Sequence, residues 1–182
     1  MIKELLLGAL TILIVVVSRR AIFRPSTHGF YRFFAWELTA VVLYLNVDLW
    51  FEHPLSPQHL ASWLFLLLSL LTLIWSVMAL KTIGKPDHST DDPTRVGIER
   101  TTVLVAVGIY RQVRHPLYDS VLFLAWGAAL KSCSWLSIVL SVGASGLIVA
   151  TAKVEEAEDV KLFGQSYLQY MKKTKMFLPF TI

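Results

Sequence analysis

Residues 60–80 read LASWLFLLLSLLTLIWSVMAL and contain no charged side chain. A helix needs about 20 apolar residues to cross the ~30 Å hydrocarbon core of a bilayer. The whole chain of 182 residues shares this character, being 55% hydrophobic and 16% charged with a mean hydropathy of +0.58. A soluble domain of this length needs more polar surface to cover its core. The sequence therefore predicts an all-α integral membrane protein with a single domain.

Four further apolar runs flank this segment, so about five transmembrane helices are expected. They are residues 5–17, 33–51, 117–130 and 135–152. The first run resembles a signal-peptide core, but no small-residue cleavage site follows it, which favours a retained helix. Four residues separate the last two runs, which predicts an antiparallel helical hairpin. Residues 1–80 thus hold three spans, and residues 81–182 hold a loop, the hairpin and a tail.

The fourth run is short for a span, so it is expected to extend, tilt or locally thin the bilayer.

The distribution of basic residues predicts the orientation of the chain in the membrane. Fifteen of the 17 Lys and Arg residues fall in the first loop, the third loop and the tail, and only Lys3 and Lys131 fall opposite. This pattern places the N-terminus outside and the C-terminus in the cytosol, in a cytoplasmic membrane or an endomembrane. Membrane topology and anionic headgroups then account for the net charge of +4, and no nucleic-acid partner is expected.

The lone cysteine, Cys133, excludes an intrachain disulfide, and no Cys or His spacing suggests a metal site. Polar residues instead concentrate in residues 81–116 and from residue 153 onward, and the hairpin places these two stretches side by side. Pro116 is typical of the first position of a helix. The positive end of that helix, beside Arg114 and His115, favours an anion.

The neighbouring helix is expected to end near Glu155 and Glu156, where its negative end favours a cation. A ligand that carries a carboxylate, an ammonium and a sulfonium fits this pair of helix ends, and S-adenosylmethionine has all three groups. Tyr110, Tyr118 and Tyr167 offer ring faces for the sulfonium or the adenine.

Two motifs separated by the hairpin resemble the isoprenylcysteine carboxyl methyltransferase family and its phospholipid methyltransferase relatives. The first is Gly108-Ile-Tyr110-x-x-x-Arg114-His115-Pro116-x-Tyr118, and the second is Glu155-Glu156 followed by Phe163-Gly164-x-x-Tyr167-x-x-Tyr170. The resemblance covers about residues 101–179. It implies a multi-span helical fold with a cytosolic pocket for S-adenosylmethionine. Carried over by position, the cofactor shell comprises Thr102, Val103, Leu104, Val105, Tyr110, His115, Pro116, Leu117, Tyr118 and Glu155.

Arg114, His115 and Glu155 are the candidate catalytic residues. Carboxyl-methylating members of the family usually carry an arginine one helical turn before the glutamate, where this chain has Thr151. A prenylcysteine-like carboxylate would therefore lose its partner, and the acceptor stays open between that carboxylate, a lipid amine and a small thiol. Family members commonly carry a histidine at the start of the segment that corresponds to residues 102–105, where this chain has Thr102. Glu37, an ionisable residue within a predicted span, is a candidate for the substrate cavity, as is Thr151.

The expected reaction is direct transfer of the methyl group to a lipophilic acceptor that enters from the bilayer, which requires alignment and exclusion of water. Each motif also has a simpler interpretation. Arg114 and His115 can anchor a helix end among headgroups, and Glu155 and Glu156 can form a solvated helix terminus. Tyr167 and Tyr170 fit an interfacial helix better than a binding site. Two other functions stay open, an NADPH-dependent membrane reductase of the sterol-reductase type and a non-catalytic lipid-binding protein.

Overall fold

The computed structural model describes residues 2–85 and 101–177 of the chain. Six α-helices make up this part, together with short 3-10 helices at Val47–Leu49 and Gly108–Arg111. They are α1 (Ile2–Ser18), α2 (His28–Asn46), α3 (Pro57–Ile83), α4 (Pro116–Ala129), α5 (Trp135–Phe163) and α6 (Gln165–Lys173). The described residues are thus all-helical, as the sequence predicts.

Two of the helices are long and apolar enough to cross a membrane, α3 with 27 residues and α5 with 29. The others are shorter: α1 has 17 residues, α2 has 19 and α4 has 14. At 1.5 Å per residue α4 is about 21 Å long, well below the ~30 Å of a hydrocarbon core. The structure therefore supports a membrane protein, while the number of five spans stays a prediction.

The helix ends follow from local chemistry. Ser56 and Ser134 cap α3 and α5, because each hydroxyl accepts a hydrogen bond from the backbone N–H three residues later. Pro116 occupies the first turn of α4, as predicted. Helix α5 continues to Phe163 and ends at Gly164, where φ is +59°. The expectation that this helix ends near Glu155 and Glu156 is therefore wrong: the apolar run ends there, but polar residues continue the helix for about two more turns.

Helices pack through small and polar residues. On α3, the Ser62 hydroxyl donates to the Gly127 carbonyl at 2.7 Å, and the Ser69 hydroxyl donates to the Ser120 carbonyl at 2.7 Å. The two serines are seven residues apart, so they lie on one face of α3 and let α4 approach closely. The predicted hairpin of α4 and α5 is present, with its turn at residues 130–134. Asn46 of α2 donates to the Ser137 hydroxyl near that turn at 2.9 Å.

A methyl group at Gly127 tests this close approach. An added Cβ would lie 3.0 Å from the Leu66 side chain and 3.1 Å from the Leu66 backbone nitrogen. We expect Gly127→Ala to lower the free energy of unfolding by roughly 1–3 kcal/mol, because overpacking outweighs the gain in helix propensity. In the control Gly146→Ala, nothing lies within 4 Å of the new Cβ, so stability should stay constant or rise. Thermal unfolding in detergent compares the two, and equal midpoints would contradict the packing of α3 on α4.

Candidate functional site

The end of the bundle at which α3 and α5 finish and α4 begins contains a cavity, called the motif cavity here. Including its open mouth, the cavity has a volume of about 590 Å³. Both sequence motifs contribute to its wall. Eight residues predicted for the site line it: Leu104, Val105, Tyr110, Arg114, His115, Leu117, Tyr118 and Glu155.

Three other residues of the predicted cofactor shell lie beside the cavity without lining it. The Thr102 hydroxyl donates to the Lys85 carbonyl at 3.1 Å, and its backbone N–H donates to the Gly84 carbonyl at 3.1 Å. Val103 is 44% exposed, and Pro116 is buried in the first turn of α4. Thr102 thereby fastens the strip of residues 102–105 to the end of α3.

The two residues predicted for the substrate do not line the motif cavity. Glu37 accepts a hydrogen bond from the Thr11 hydroxyl at 3.0 Å, which links α1 to α2. Thr151 is fully buried, and its hydroxyl donates to the Leu147 carbonyl of the same helix at 2.8 Å. A role of either residue in substrate binding stays a prediction.

His115 lies between two carboxylates at the centre of the site. Its Nδ1 is 3.3 Å from Glu155 Oε2, and its Nε2 is 3.3 Å from Glu156 Oε1. Burial by itself lowers the pKa of His115, but the two carboxylates outweigh burial and raise the pKa to about 9. His115 therefore carries a positive charge at neutral pH.

The adjacent residues Glu155 and Glu156 lie differently with respect to the motif cavity. Glu155 lines the motif cavity, whereas Glu156 lies behind it and binds Arg114, whose Nε is 2.6 Å from Glu156 Oε1. The side chains of Arg114 and Glu156 are only 10% and 9% exposed. Removal of either partner would deprive the other, a buried charge, of its ion-pair partner.

A short backbone pairing holds the first motif against the tail, and we call it the tail clamp (residues 112–115 with 174–176). Arg114 N–H donates to the Lys175 carbonyl at 2.8 Å, and His115 N–H donates to the Met176 carbonyl at 3.1 Å. In the other direction, Lys175 N–H donates to the Gln112 carbonyl at 2.9 Å. Arg114 Nη1 also donates to the carbonyls of Met171 and Thr174. The position of the cavity wall therefore depends on the tail.

Aromatic rings also line the cavity. The rings of His115 and Tyr118 stack at 5.4 Å between centroids, and those of Phe163 and Tyr167 stack at 6.4 Å. The Tyr170 hydroxyl donates to the Tyr110 carbonyl at 2.6 Å. Burial raises the pKa of Tyr167 and Tyr170 above the ordinary value, so both phenols stay protonated and neutral. Such ring faces suit a sulfonium or an adenine.

Part of this wall differs from the sequence-based expectation. The Tyr167 ring was a candidate for cofactor contact, but an interfacial helix was favoured for Tyr167 and Tyr170, whereas both side chains are buried and line the cavity. Sequence analysis also missed Asp159, Leu80 and Thr101. The signal for Asp159 was its spacing, because a residue four positions after Glu155 lies on the same face of a helix.

The raised pKa of His115 predicts a pH dependence of stability. A group whose pKa is raised by folding contributes stability fully below its unfolded pKa, near 6.5, and loses the contribution as pH rises through the folded value of about 9. We expect the free energy of unfolding to fall by on the order of 3 kcal/mol between pH 6.5 and pH 10. His115→Gln should flatten that part of the profile. An equal slope in both proteins, measured by chemical denaturation, would contradict the charged His115.

Comparison with known families identifies the family of the chain. The family model described as phospholipid methyltransferase matches residues 57–166, more than half of the chain. Members of that family are membrane methyltransferases that use S-adenosylmethionine, which confirms the sequence-based predictions of enzyme class and cofactor. No curated protein and no solved structure matches the chain.

Proposed function

Since the chain belongs to the phospholipid methyltransferase family, we propose that the motif cavity binds S-adenosylmethionine and that the methyl group goes to the amine of a phospholipid headgroup. The observation that carries the proposal is that motifs from both sides of the hairpin line one cavity. The cofactor supplies an activated methyl carbon. The amine nitrogen forms a bond to that carbon, the carbon–sulfur bond breaks, and its electron pair stays on sulfur.

The charges of the cavity fit this cofactor. Two cations, Arg114 and His115, accompany the carboxylates of Glu155 and Asp159 on the wall and that of Glu156 behind it, so these five side chains have a formal charge of −1. S-adenosylmethionine carries two positive groups and one carboxylate. The carboxylates of Glu155 and Asp159 suit its cationic groups, and the stacked rings suit its adenine.

The same charges favour an amine over a carboxylate as the acceptor. Thr151 supplies no cation, and its hydroxyl is used by the Leu147 carbonyl. Among described residues that line the cavity, the cations are Arg114 and His115, and both already contact glutamates. A prenylcysteine-like carboxylate would therefore lack a partner here. The carboxylates of Glu155 and Asp159 would attract a positively charged amine but would not favour the binding of a small thiol.

An ammonium headgroup must lose a proton before its nitrogen can react. With its pKa raised to about 9, His115 is already protonated at neutral pH and is poorly suited to accept that proton. The carboxylates of Glu155 and Asp159 are the acceptors on the cavity wall. His115 then has a positioning role, because it holds Glu155 in place from the side of α4.

The acceptor assignment is tested by incubating the enzyme with methyl-labelled S-adenosylmethionine in nanodiscs that contain phosphatidylethanolamine. We expect label in an N-methylated headgroup, whose carbon–nitrogen bond withstands base. A prenylcysteine analogue serves as the competing acceptor. Label released by base as methanol would identify a carboxyl methyl ester and would overturn the amine assignment.

The orientation belongs to the same proposal: five spans, the N-terminus outside, and the motif cavity at the cytosolic face with the lipid entering laterally. Two contacts support an up-and-down arrangement, Lys3 with Asp48 at one end and His28 with Glu158 at the other. The basic residues concentrate at the second end, as the positive-inside rule requires on the cytosolic side.

The single cysteine offers a direct test of this topology. Cys133 is exposed in the turn between α4 and α5, at the end opposite the motif cavity. We expect a membrane-impermeant maleimide to label wild-type protein in intact cells. The matched variant Cys133→Ser/Lys161→Cys should react only after permeabilisation, because Lys161 is exposed near the end of α5. The reverse pattern would show the opposite orientation.

A further inference from the structure

A second cavity lies between α5 and the segment that ends α6, and it shares Arg114 with the motif cavity. We call it the basic groove. Its volume is about 1,070 Å³ including open space, so it is the roomier of the two. Its polar wall carries four exposed lysines: Lys153, Lys172, Lys173 and Lys175.

The groove is positively charged. Arg114 also reaches it, but the charge of Arg114 is balanced by Glu156. No carboxylate is among the described residues that line the groove, so the four lysine charges have no counterpart within it. A phosphate group is the anion that several ammonium groups around one space would hold.

The remaining wall is apolar, formed by Val149, Met171, Met176 and Phe177. Val149 and Lys153 are four residues apart on α5, so one face of this helix passes directly from the apolar run to the basic end. The groove therefore offers cations at one edge and hydrocarbon contact at the other. An amphiphile with an anionic head has the complementary pattern.

We propose that the basic groove binds an anionic phospholipid, with its phosphate among the lysines and the start of its acyl chain along Val149, Met176 and Phe177. Binding at the groove would act on the motif cavity, because the tail segment that forms one side of the groove also pairs with residues 112–115 in the tail clamp. The lipid is thereby a regulator that stabilises the cofactor site. This second part rests on the proposed function, whereas lipid binding itself does not.

Lipid retention tests the groove directly. The protein is reconstituted with phosphatidylcholine and phosphatidylglycerol, and the phosphatidylglycerol bound after purification is counted by native mass spectrometry. We expect Lys153→Gln/Lys172→Gln to weaken retention by roughly fivefold for each lysine. The control Lys81→Gln/Lys161→Gln removes two exposed lysines that do not line the groove and should retain the lipid. Equal loss of bound phosphatidylglycerol in both variants would indicate nonspecific binding to surface charge and would overturn the assignment of the groove.

Affinity for S-adenosylhomocysteine, measured by calorimetry, tests the coupling. We expect wild type to bind at least threefold more tightly in nanodiscs with phosphatidylglycerol than in phosphatidylcholine alone, and the groove variant to lose this difference. Equal affinity in the two lipids would overturn the coupling while leaving the proposed function intact. No binding in either would overturn the proposed function, and lipid retention would still decide the groove. If inorganic phosphate reproduces the gain, the groove is an anion site and the assignment to a lipid is wrong.

Discussion

Glu155→Gln is expected to lower kcat/KM for methyl transfer by roughly 100-fold, because a hydrogen-bonded charged group at a reacting site contributes about 1.5–3 kcal/mol. Glu155 lines the motif cavity and contacts His115, so the substitution removes a negative charge from the wall that faces the cofactor. Glutamine keeps the size of the side chain. Initial rates with labelled S-adenosylmethionine give the change, and the thermal midpoint confirms that the variant is folded.

Glu158→Gln is the matched control for this substitution. Glu158 lies on the same helix less than one turn further on, and its carboxylate contacts His28 instead of lining the motif cavity. Its kcat/KM should stay within about threefold of wild type, because an exchange away from the reacting groups changes little. If both variants lose the same activity, the effect belongs to α5 as a whole and the cavity is not the site of methyl transfer.

Arg114→Ala should have the largest effect on stability, a loss of roughly 3–5 kcal/mol in the free energy of unfolding. The substitution removes the closer of the two cations that contact Glu156, leaving His115 at 3.3 Å, and removes the donor to the carbonyls of Met171 and Thr174. The tail should then detach before the bundle unfolds. Limited proteolysis measures the release of the tail, and thermal unfolding in detergent measures the total loss.

Two further variants distinguish the loss of the Arg114–Glu156 ion pair from the loss of any positive charge. Arg111→Ala removes an exposed arginine three residues away and should change stability by less than about 0.5 kcal/mol. Arg114→Ala/Glu156→Ala should be more stable than the two single losses added together, because the second change removes the buried carboxylate that has lost its arginine. Strict additivity would show that Arg114 and Glu156 do not stabilise each other.

The helices could be predicted from sequence because apolar runs and capping residues are local signals. The break between residues 130 and 135, and Pro116 at the start of α4, were both visible in the sequence. The end of α5 was not, since hydrophobicity stops at Ala152 whereas the hydrogen bonding of the helix continues through Lys153 and the glutamates to Phe163. An apolar run marks contact with lipid or core, and a helix outlasts it wherever polar residues also favour helix.

Sequence motifs predicted which residues would lie together, while their roles in binding and catalysis stay predictions. The first motif and Glu155 do line one cavity. The tail clamp could not be foreseen, because it pairs backbone groups of residues about 60 positions apart and backbone pairing leaves no mark on side-chain identity. The burial of Tyr170 depends on the same contact, since its hydroxyl reaches the Tyr110 carbonyl. The sequence of an amphipathic helix shows the same pattern whether its apolar face contacts lipid or protein.

The central claim is that the motif cavity holds the cofactor, and thermal unfolding with and without S-adenosylhomocysteine tests it most directly. Ligand at about 100 times its Kd should stabilise the folded protein by roughly 2.7 kcal/mol. The account predicts a raised midpoint for wild type and for Glu158→Gln, and a much smaller rise for Glu155→Gln. An unchanged midpoint for wild type at saturating ligand, or the same rise in all three proteins, would contradict the assignment of the cavity.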